Sequence, residues 1–181
     1  MVTDFRRHSS VLPPLSILGN MVVVVESFKF LGSIISYNLN WSSNINSIIK
    51  KVHQRLYFLR QLRKFKLSQE VLIQFYRGII ETVLCNSITA WYGTASKRDK
   101  KKLQRAVRIA ERVIGVSLPS IETIYATWVR KRAERIVADP LHPGHHLLDL
   151  LPSGRRYRTS YTKSARHKNS FFPCAIKLLN S

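Results

Sequence analysis

Residues 71–91 form a segment that would be apolar on almost every side of a helix. Its large apolar and aromatic side chains include Val71, Leu72, Phe75, Tyr76, Ile79, Ile80, Val83, Leu84, Ile88 and Trp91. A helix without a polar face is stable only where other elements surround it. The chain must therefore fold around this helix, which we expect to begin between Ser68 and Glu70 and to end near Gly93, a residue type that terminates helices.

The segment after Trp41 predicts the first of the surrounding helices. Its apolar residues recur at spacings of three and four, the period of one helix face: Ile45, Ile48, Ile49, Val52, Leu56, Leu59 and Leu62. Ser42 or Ser43 is expected to cap its N-terminus. Lysines and arginines occupy the other faces, so this helix has a basic outer side.

Two more amphipathic helices follow the apolar one. Residues 97–114 combine a narrow apolar stripe with eight basic residues, and Gly115 is expected to stop this helix. A last helix begins after Pro119-Ser120 and places apolar side chains on one face. Because short links join the four helices, the sequence predicts a mainly α fold with an antiparallel bundle over residues 42–138.

Residues 15–36 precede the bundle and have the short period that is typical of strands. Apolar runs flank Gly19-Asn20, a pair found in tight turns, and predict a β-hairpin. Residues 28–35 alternate and predict a third strand. Residues 1–14, which include Pro13-Pro14, are expected to be disordered.

The last part of the chain, residues 139–181, is expected to be an irregular basic tail. It is first rich in histidine, proline and glycine and then in basic residues, and its closing apolar block, 171–181, is expected to dock back on the bundle. Its candidate zinc ligands are His142, His145, His146 and Cys174. Their spacing matches no common zinc motif and a proline-rich loop explains them as well, so we expect no metal site.

The charge balance indicates the chemistry of the partner. Thirty lysines and arginines oppose ten aspartates and glutamates, which gives a formal net charge of +20. Self-repulsion of that size destabilises a compact fold unless a polyanion offsets it. The RNA or DNA backbone, bound without sequence specificity, is therefore the first candidate partner. An anionic membrane surface is the second candidate and an acidic protein the third.

Three groups of cations are the candidate nucleic-acid-binding residues. They are Lys50, Lys51, Arg55 and Arg60; Lys97, Arg98, Lys100, Lys101, Lys102 and Arg105; and Arg155, Arg156 and Arg158. The second group begins a helix, where each cation costs ~0.3–1 kcal/mol against the macrodipole, so contact with phosphate is favoured over a solvated surface. The third adds a Ser153-Gly154 turn and Tyr157, whose ring can stack on a base; a disordered linker is the equal alternative.

The cysteines and tryptophans are expected to serve packing. Cys85 and Cys174 are too few and too distant in sequence for a disulfide-stapled secreted domain, and we expect both to be inert. Trp41, Trp91 and Trp128 lie near helix boundaries or on apolar faces, so we expect core positions for them rather than base-stacking platforms.

The sequence favours an intracellular location, in the nucleus or the cytoplasm. No apolar run reaches the ~18–20 residues that a membrane span requires. The first ten residues contain no apolar region of the length that a cleavable signal peptide needs. We therefore expect neither secretion nor a transmembrane helix.

A series of short sequence blocks occurs in the order found in a known family. The blocks are 27–32 (SFKFLG), 39–41 (LNW), 50–60 (KKVHQRLYFLR), 75–77 (FYR), 91–93 (WYG), 103–105 (LQR), 118–120 (LPS), 142–145 (HPGH), 151–158 (LPSGRRYR) and 172–181 (FPCAIKLLNS). Together, over roughly residues 15–181, they resemble the region that follows the reverse-transcriptase palm in vertebrate LINE-type non-LTR retrotransposon polyproteins. The chain looks like the C-terminal end of such a polyprotein.

This resemblance implies a role for two parts of the chain. Residues 15–36 would correspond to the palm–thumb junction, with Phe30, Leu31 and Gly32 similar to the primer grip. The following helices resemble the thumb, which holds a template–primer duplex by its backbone, and the four cations at positions 50, 51, 55 and 60 would lie on the first thumb helix.

The chain departs from that family in its catalytic residues. The family's paired-aspartate polymerase motif lies upstream of this region, and the chain contains no Asp-Asp pair. A two-metal phosphoryl-transfer site needs carboxylates that converge, whereas Asp4, Asp99, Asp139 and Asp149 are scattered. We therefore expect no catalytic residues, no cofactor and no enzyme activity. A chain with no selected function is a remaining alternative.

The same stretch resembles what is labelled the N-terminal domain of alkylated-DNA-repair AlkB homologues. That label implies an alternative function, a 2-oxoglutarate-dependent dioxygenase or a methyltransferase. An iron site of this kind needs a His-x-Asp pair and a distant histidine, but the tail histidines are followed only by Asp149, at another spacing. A methyltransferase needs a glycine-rich turn after a strand, and Gly19 and Gly32 stand alone. We therefore expect that the AlkB-homologue label applies to this chain by family name only, without dioxygenase or methyltransferase activity.

Overall fold

The structure is a computed structural model that describes residues 15–159 and 161–181. The disorder expected for residues 1–14 lies outside the described residues. Two short antiparallel hairpins precede a set of helices, and the described chain is mainly helical, which confirms the predicted fold class.

The N-terminal segment contains two hairpins rather than one hairpin and a third strand. The strands are β1 (Ser16–Ile17), β2 (Asn20–Met21), β3 (Ser27–Phe30) and β4 (Ser33–Ser36). The predicted third strand folds back at Leu31-Gly32, where φ is +45° and +82°. Two positive φ angles in succession define a tight turn whose twist matches that of a hairpin. The first hairpin turns at Leu18-Gly19, one residue before the predicted position, because these two residues are the ones with successive positive φ angles.

The second hairpin is attached to the bundle through its inner strand. Ser33 of β4 is buried, and the backbone N–H of Ile34 donates to Oδ1 of the buried Asn44 at 2.9 Å. The outer strand β3 is exposed along its whole length. Strand β4 therefore packs at the start of the first helix.

Helix α1 spans Ser42–Lys64 and buries the predicted apolar face. The predicted cap is wrong, because the helix begins after Trp41 and neither serine caps it. The Ser42 hydroxyl instead donates to Oδ2 of Asp99 at 2.9 Å, a partner 57 residues further along the chain. The side chain that the sequence predicted as a helix cap thus forms a tertiary contact instead.

The apolar segment is interrupted rather than continuous. It comprises α2 (Gln69–Phe75), a π-helical turn (Tyr76–Glu81), α3 (Thr82–Leu84) and α4 (Ile88–Trp91). Ser87, between α3 and α4, has a left-handed φ of +51° that ends the helical path. The indole N–H of Trp91 donates to the carbonyl that the break leaves free at Asn86, at 2.8 Å.

Gly93 has a different role from the predicted one. Helix α4 ends two residues earlier, at Trp91, and the φ of Gly93 is not left-handed. A Cβ at this position would collide with the backbone carbonyl of Asn169, in the tail. Gly93 therefore permits the close approach of two chain segments rather than terminating a helix.

Helices α5 (Lys97–Ile114) and α6 (Ile121–Ala138) have the predicted positions. Both begin with a serine cap: the Ser96 hydroxyl oxygen accepts from the N–H of Asp99, and that of Ser120 accepts from the N–H of Thr123. Gly115 adopts φ +84° and ends α5 as predicted, because that left-handed conformation strains any residue with a Cβ.

Helices α1 and α5 lie side by side and run in the same direction. Ser42 contacts Asp99 and, one turn on, Asn46 contacts Lys102. The amide of Gln69, at the start of α2, donates to the carbonyl of Ile114 at the end of α5, so the apolar segment runs opposite to both helices. The first three predicted helices therefore alternate in direction around one hydrophobic core.

The tail contains helical turns as well as irregular chain. These are a 3-10 turn (His145–Leu147), α7 (Ala165–Lys168) and α8 (Phe171–Leu179). Helix α8 packs on α6, with Ala175 and Ile176 buried and the Arg130 guanidinium donating to the Leu178 carbonyl at 3.1 Å. Across the described residues, no helix is both long enough and apolar enough to span a membrane.

Candidate nucleic-acid interface

Six of the eight cations of α5 lie on one side of the helix, opposite its buried face. All six are exposed: Lys97, Arg98, Lys101, Arg105, Arg108 and Arg112. At 3.6 residues per turn they fall within an arc of about 100°, and at ~1.5 Å per residue the row is about 22 Å long. The buried residues of the same helix, such as Leu103 and Ala110, occupy the other side. The row therefore faces away from the core along the whole helix.

The sequence prediction included only the first part of this row. It named the cluster at the start of α5 and Arg105, but it missed Arg108 and Arg112. The signal was present in the sequence, because cations at positions 97, 101, 105, 108 and 112 recur at spacings of four and three.

Two of the predicted lysines are used within the fold instead. Lys100 Nζ lies 4.7 Å from the ring centroid of Tyr92 and 3.4 Å from the Gly93 carbonyl oxygen. Lys102 Nζ lies 3.3 Å from Oδ1 of Asp99 and 3.0 Å from Oδ1 of Asn46. Both side chains are half-buried, whereas Lys101, which lies between them in the sequence, is exposed.

Asp99 holds the beginnings of α1 and α5 together. Its buried carboxylate accepts hydrogen bonds from the hydroxyls of Ser42 and Ser96, at 2.9 and 2.8 Å. Burial by itself would raise the pKa of this carboxyl, but the hydrogen bonds from Ser96, Ser42 and Lys102 outweigh burial and lower the pKa below its usual value. The ionised carboxylate in the first turn offsets part of the unfavourable charge of the neighbouring cations.

Helix α1 adds a second basic row beside the first. Six exposed residues recur along one flank at spacings of four and three: Asn46, Lys50, His53, Tyr57, Arg60 and Lys64. Because Asn46 contacts Lys102 and the helices are parallel, this flank borders α5, and each further turn of α1 lies level with a further turn of α5. We call the two rows together the paired-helix face: Lys50, Arg60 and Lys64 of α1 with the six exposed cations of α5.

No carboxylate neutralises the paired-helix face from its own two helices, within the part of the chain described. Helix α1 contains neither aspartate nor glutamate, and α5 contains only Asp99 and Glu111. Asp99 is buried, and Glu111 is half-buried with Oε1 accepting from the N–H of Leu118 at 3.0 Å. The face therefore presents one sign of charge to the solvent.

The other two cations predicted on α1 lie on a different side. Lys51 and Arg55 are half-buried, and the Arg55 guanidinium donates to the Lys51 carbonyl at 3.1 Å. Arg55 borders a hollow whose walls include Phe58 of α1 and Phe75 of α2. The structure thus brings Lys50 and Arg60 into the paired-helix face but not Lys51 and Arg55.

The third predicted group lies at the end of α8. Arg155 and Arg156 are exposed in a loop closed by a bridge between Leu150 and Tyr157, and the exposed Arg158 directly follows that bridge. The side-chain amide of Asn180 bonds both backbone polar groups of Tyr157, at 2.8 and 3.1 Å. The loop is therefore anchored to α8, and the half-buried Tyr157 packs against the core.

The primer-grip-like residues form the turn of the second hairpin. Phe30 and Leu31 are exposed, by 55% and 79%, and project from the bundle. Gly32 faces the helix break, where a Cβ would meet the Asn86 amide at 3.3 Å. The turn therefore lies beside the break between α3 and α4.

Two of the tail histidines have local partners, and Cys85 is buried. The N–H of Gly144 donates to Nδ1 of His142 at 3.0 Å, and Nδ1 of His145 lies 3.1 Å from the Ile136 carbonyl oxygen. Burial raises the pKa of the Cys85 thiol to about 12, which keeps it protonated at neutral pH. Within residues 15–159 and 161–181, no group of three His, Cys, Asp or Glu side chains is placed to hold a metal ion.

The geometry defines a basic helical chain, and one comparison with known proteins adds to this description. Residues 41–82 match the family described as alkylated DNA repair protein alkB homolog 8, N-terminal. The match includes α1, α2 and the π-helical turn, which is 42 of the 181 residues. The AlkB-homologue label expected from the sequence is therefore supported over this segment. No curated protein and no solved structure matches the chain.

Proposed function

We propose that this chain binds the backbone of RNA or DNA through the paired-helix face, without sequence specificity. The observation that carries the proposal is the row of six exposed cations along α5, bordered by the basic flank of α1. Backbone phosphates are regularly spaced anions, so a long row of one charge gains from every phosphate it meets. A face that neutralises about six phosphates of a duplex gives a slope of log K against log salt near −5.

The proposal includes an origin for the chain. We infer that it is a segment of a LINE-type retrotransposon reverse-transcriptase polyprotein, with a thumb-like bundle that holds a duplex. The ordered series of sequence blocks supports this origin, and so does a hairpin turn at Leu31-Gly32 that is followed, after strand β4, by a basic helix. Such a protein would act inside the cell, in the nucleus or the cytoplasm.

The proposed role is binding without a catalytic centre of this chain's own. The family match favours one other candidate, an AlkB-homologue-type dioxygenase or methyltransferase. The matched segment supplies one histidine, His53, and two carboxylates, Glu70 and Glu81. An iron site of two histidines and one carboxylate does not fit that set. Turnover of 2-oxoglutarate by the purified chain with Fe(II) would establish the alternative and contradict our proposal.

The binding site is tested by two variants of equal charge. The face variant carries Lys101→Glu, Arg105→Glu and Arg112→Glu; the control carries Lys163→Glu, Lys168→Glu and Lys177→Glu, three exposed tail lysines. Fluorescence anisotropy with a 20-base-pair duplex would measure affinity at one salt concentration. We expect at least a hundredfold loss in the face variant and less than tenfold in the control. Equal losses would mean that net charge, not this face, determines binding.

A further inference from the structure

A cleft lies on another side of the molecule, between the helix break and α6. Its volume is about 760 Å³, within the ~300–1,000 Å³ range of ligand pockets. The buried Ile88 and Ile136 lie behind its lining, and Ser87, in its left-handed conformation, belongs to the wall. None of the residues predicted to bind nucleic acid lines it.

Trp128 gives this cleft an aromatic wall. It was expected in the core, but it is 45% exposed, whereas Trp91 is fully buried. Its side chain lies in the wall of the cleft, beside the exposed Lys131 and Arg135 of the same helix, rather than in the core. An exposed indole beside apolar residues offers a flat surface on which a nucleobase can stack.

Cations from the same helix surround the indole. Lys131 and Arg135 are exposed and form no hydrogen bond or ion pair with another described residue. Arg132 is held in place, because its guanidinium donates to Oγ1 of Thr89 at 3.2 Å and lies 5.4 Å from the centroid of Phe171. These three cations exceed the one carboxylate in the lining, Asp139, so the cleft favours an anion.

We propose that this cleft binds one unpaired nucleotide of a single-stranded nucleic acid. The base stacks on Trp128 and the adjoining phosphates lie at Lys131 and Arg135. A phosphate alone would use the cations but not the indole. A base inside a duplex is stacked between the neighbouring bases and cannot reach the indole, so the site selects unpaired nucleotides. This site is separate from the paired-helix face and extends the proposed function from paired to unpaired strands.

The experiment compares ligands that share phosphates but differ in bases. The full chain is titrated with a fluorescently labelled thymidine hexamer, an abasic hexamer of equal charge, and thymidine monophosphate as competitor. We expect the hexamer to bind about tenfold more tightly than the abasic strand, which is the size of one stacked base. The free nucleotide should compete only at much higher concentration.

Variants then assign the difference to the cleft. Trp128→Leu should remove the advantage of the hexamer, Trp128→Tyr should retain most of it, and Tyr161→Leu, at an exposed aromatic elsewhere, should change nothing. Should Trp128→Leu fail to fold by circular dichroism, Lys131→Glu with Arg135→Glu takes its place and should weaken hexamer binding about tenfold or more.

Three results would overturn the proposal. They are equal affinity for the two hexamers, an unchanged advantage in Trp128→Leu (or an unchanged affinity in its replacement), and a free nucleotide that binds as tightly as the strand. Duplex affinity should be unchanged in the Trp128 variants and should fall less than tenfold in the Lys131→Glu, Arg135→Glu variant, so failure at the cleft is distinguishable from failure of the paired-helix face.

Discussion

At the scale of single residues, Asp99 shows how a carboxylate supports a basic surface. It is buried and ionised, and it accepts hydrogen bonds from Ser42 of α1 and from Ser96, the cap of α5, two helices whose exposed charged side chains are all cations. In the sequence it is one of four scattered aspartates, with no pattern that indicates this role. Its partner Ser42 lies 57 positions away, and no local pattern indicates a contact over that separation.

Asp99→Asn is expected to destabilise the fold in a pH-dependent way. Hydrogen bonds to a charged group contribute ~1.5–3 kcal/mol, so we expect a loss of about 2 kcal/mol at pH 7. The pKa of this carboxyl is lower in the folded chain, so its contribution is present above the unfolded pKa and disappears as pH falls through the folded pKa. Urea unfolding of both proteins at pH 7 and below pH 3 measures this. A difference that does not shrink in acid, or an effect equal to that of the exposed Asp149→Asn, would contradict it.

Neighbouring lysines of α5 are expected to separate binding from stability. Lys101→Gln should reduce the salt slope of duplex binding by about 0.9 and leave stability unchanged, because its side chain is exposed. Lys102→Gln should lower stability by up to ~1 kcal/mol and change the slope little, since Asp99 and Asn46 hold its ammonium group. Anisotropy and urea unfolding on both variants give the comparison. The same pattern of effects in both would contradict these roles.

At the scale of elements, helical periodicity predicted α1, α5 and α6 well. Each has one buried face and one polar face, so the pattern is strong. The apolar segment has no polar face to contrast with its apolar faces, so its periodicity does not show where it is interrupted. The residue type does not indicate the break at Ser87 either, because serine rarely adopts a left-handed φ. The turn at Leu31-Gly32 was missed for a related reason: the alternating pattern continues through it, and a leucine takes one of its two positive φ angles.

Two glycines of the bundle are expected to respond oppositely to substitution by alanine. Gly115→Ala should destabilise by about 1 kcal/mol, because φ at the end of α5 is +84°. Gly78→Ala should stabilise by about 0.5–1 kcal/mol, because it lies within the π-helical turn and a Cβ there meets nothing within 4 Å. Urea unfolding of the two variants tests the pair, and the same sign in both would contradict the assignment.

At the scale of the whole molecule, composition predicted that a polyanion would be the partner, and the fold arranges much of the charge on one side. The paired-helix face depends on two helices that are distant in sequence and parallel in space. Sequence adjacency grouped the cations differently, which is why Lys51, Arg55, Lys100 and Lys102 were included and Arg108 and Arg112 were not. The cleft at Trp128 was missed because an aromatic on an amphipathic helix is usually a core residue.

The salt dependence of duplex affinity shows whether the chain binds nucleic acid through the paired-helix face. Lys101→Gln, Arg105→Gln and Arg112→Gln, made together, remove three cations of the paired-helix face, and Lys163→Gln, Lys168→Gln and Lys177→Gln remove three from the tail. We expect the slope of log K against log salt to become shallower by about 0.9 for each cation removed from the face and to stay unchanged in the tail variant. Equal slopes in all three proteins, or a change confined to the tail variant, would contradict binding through this face.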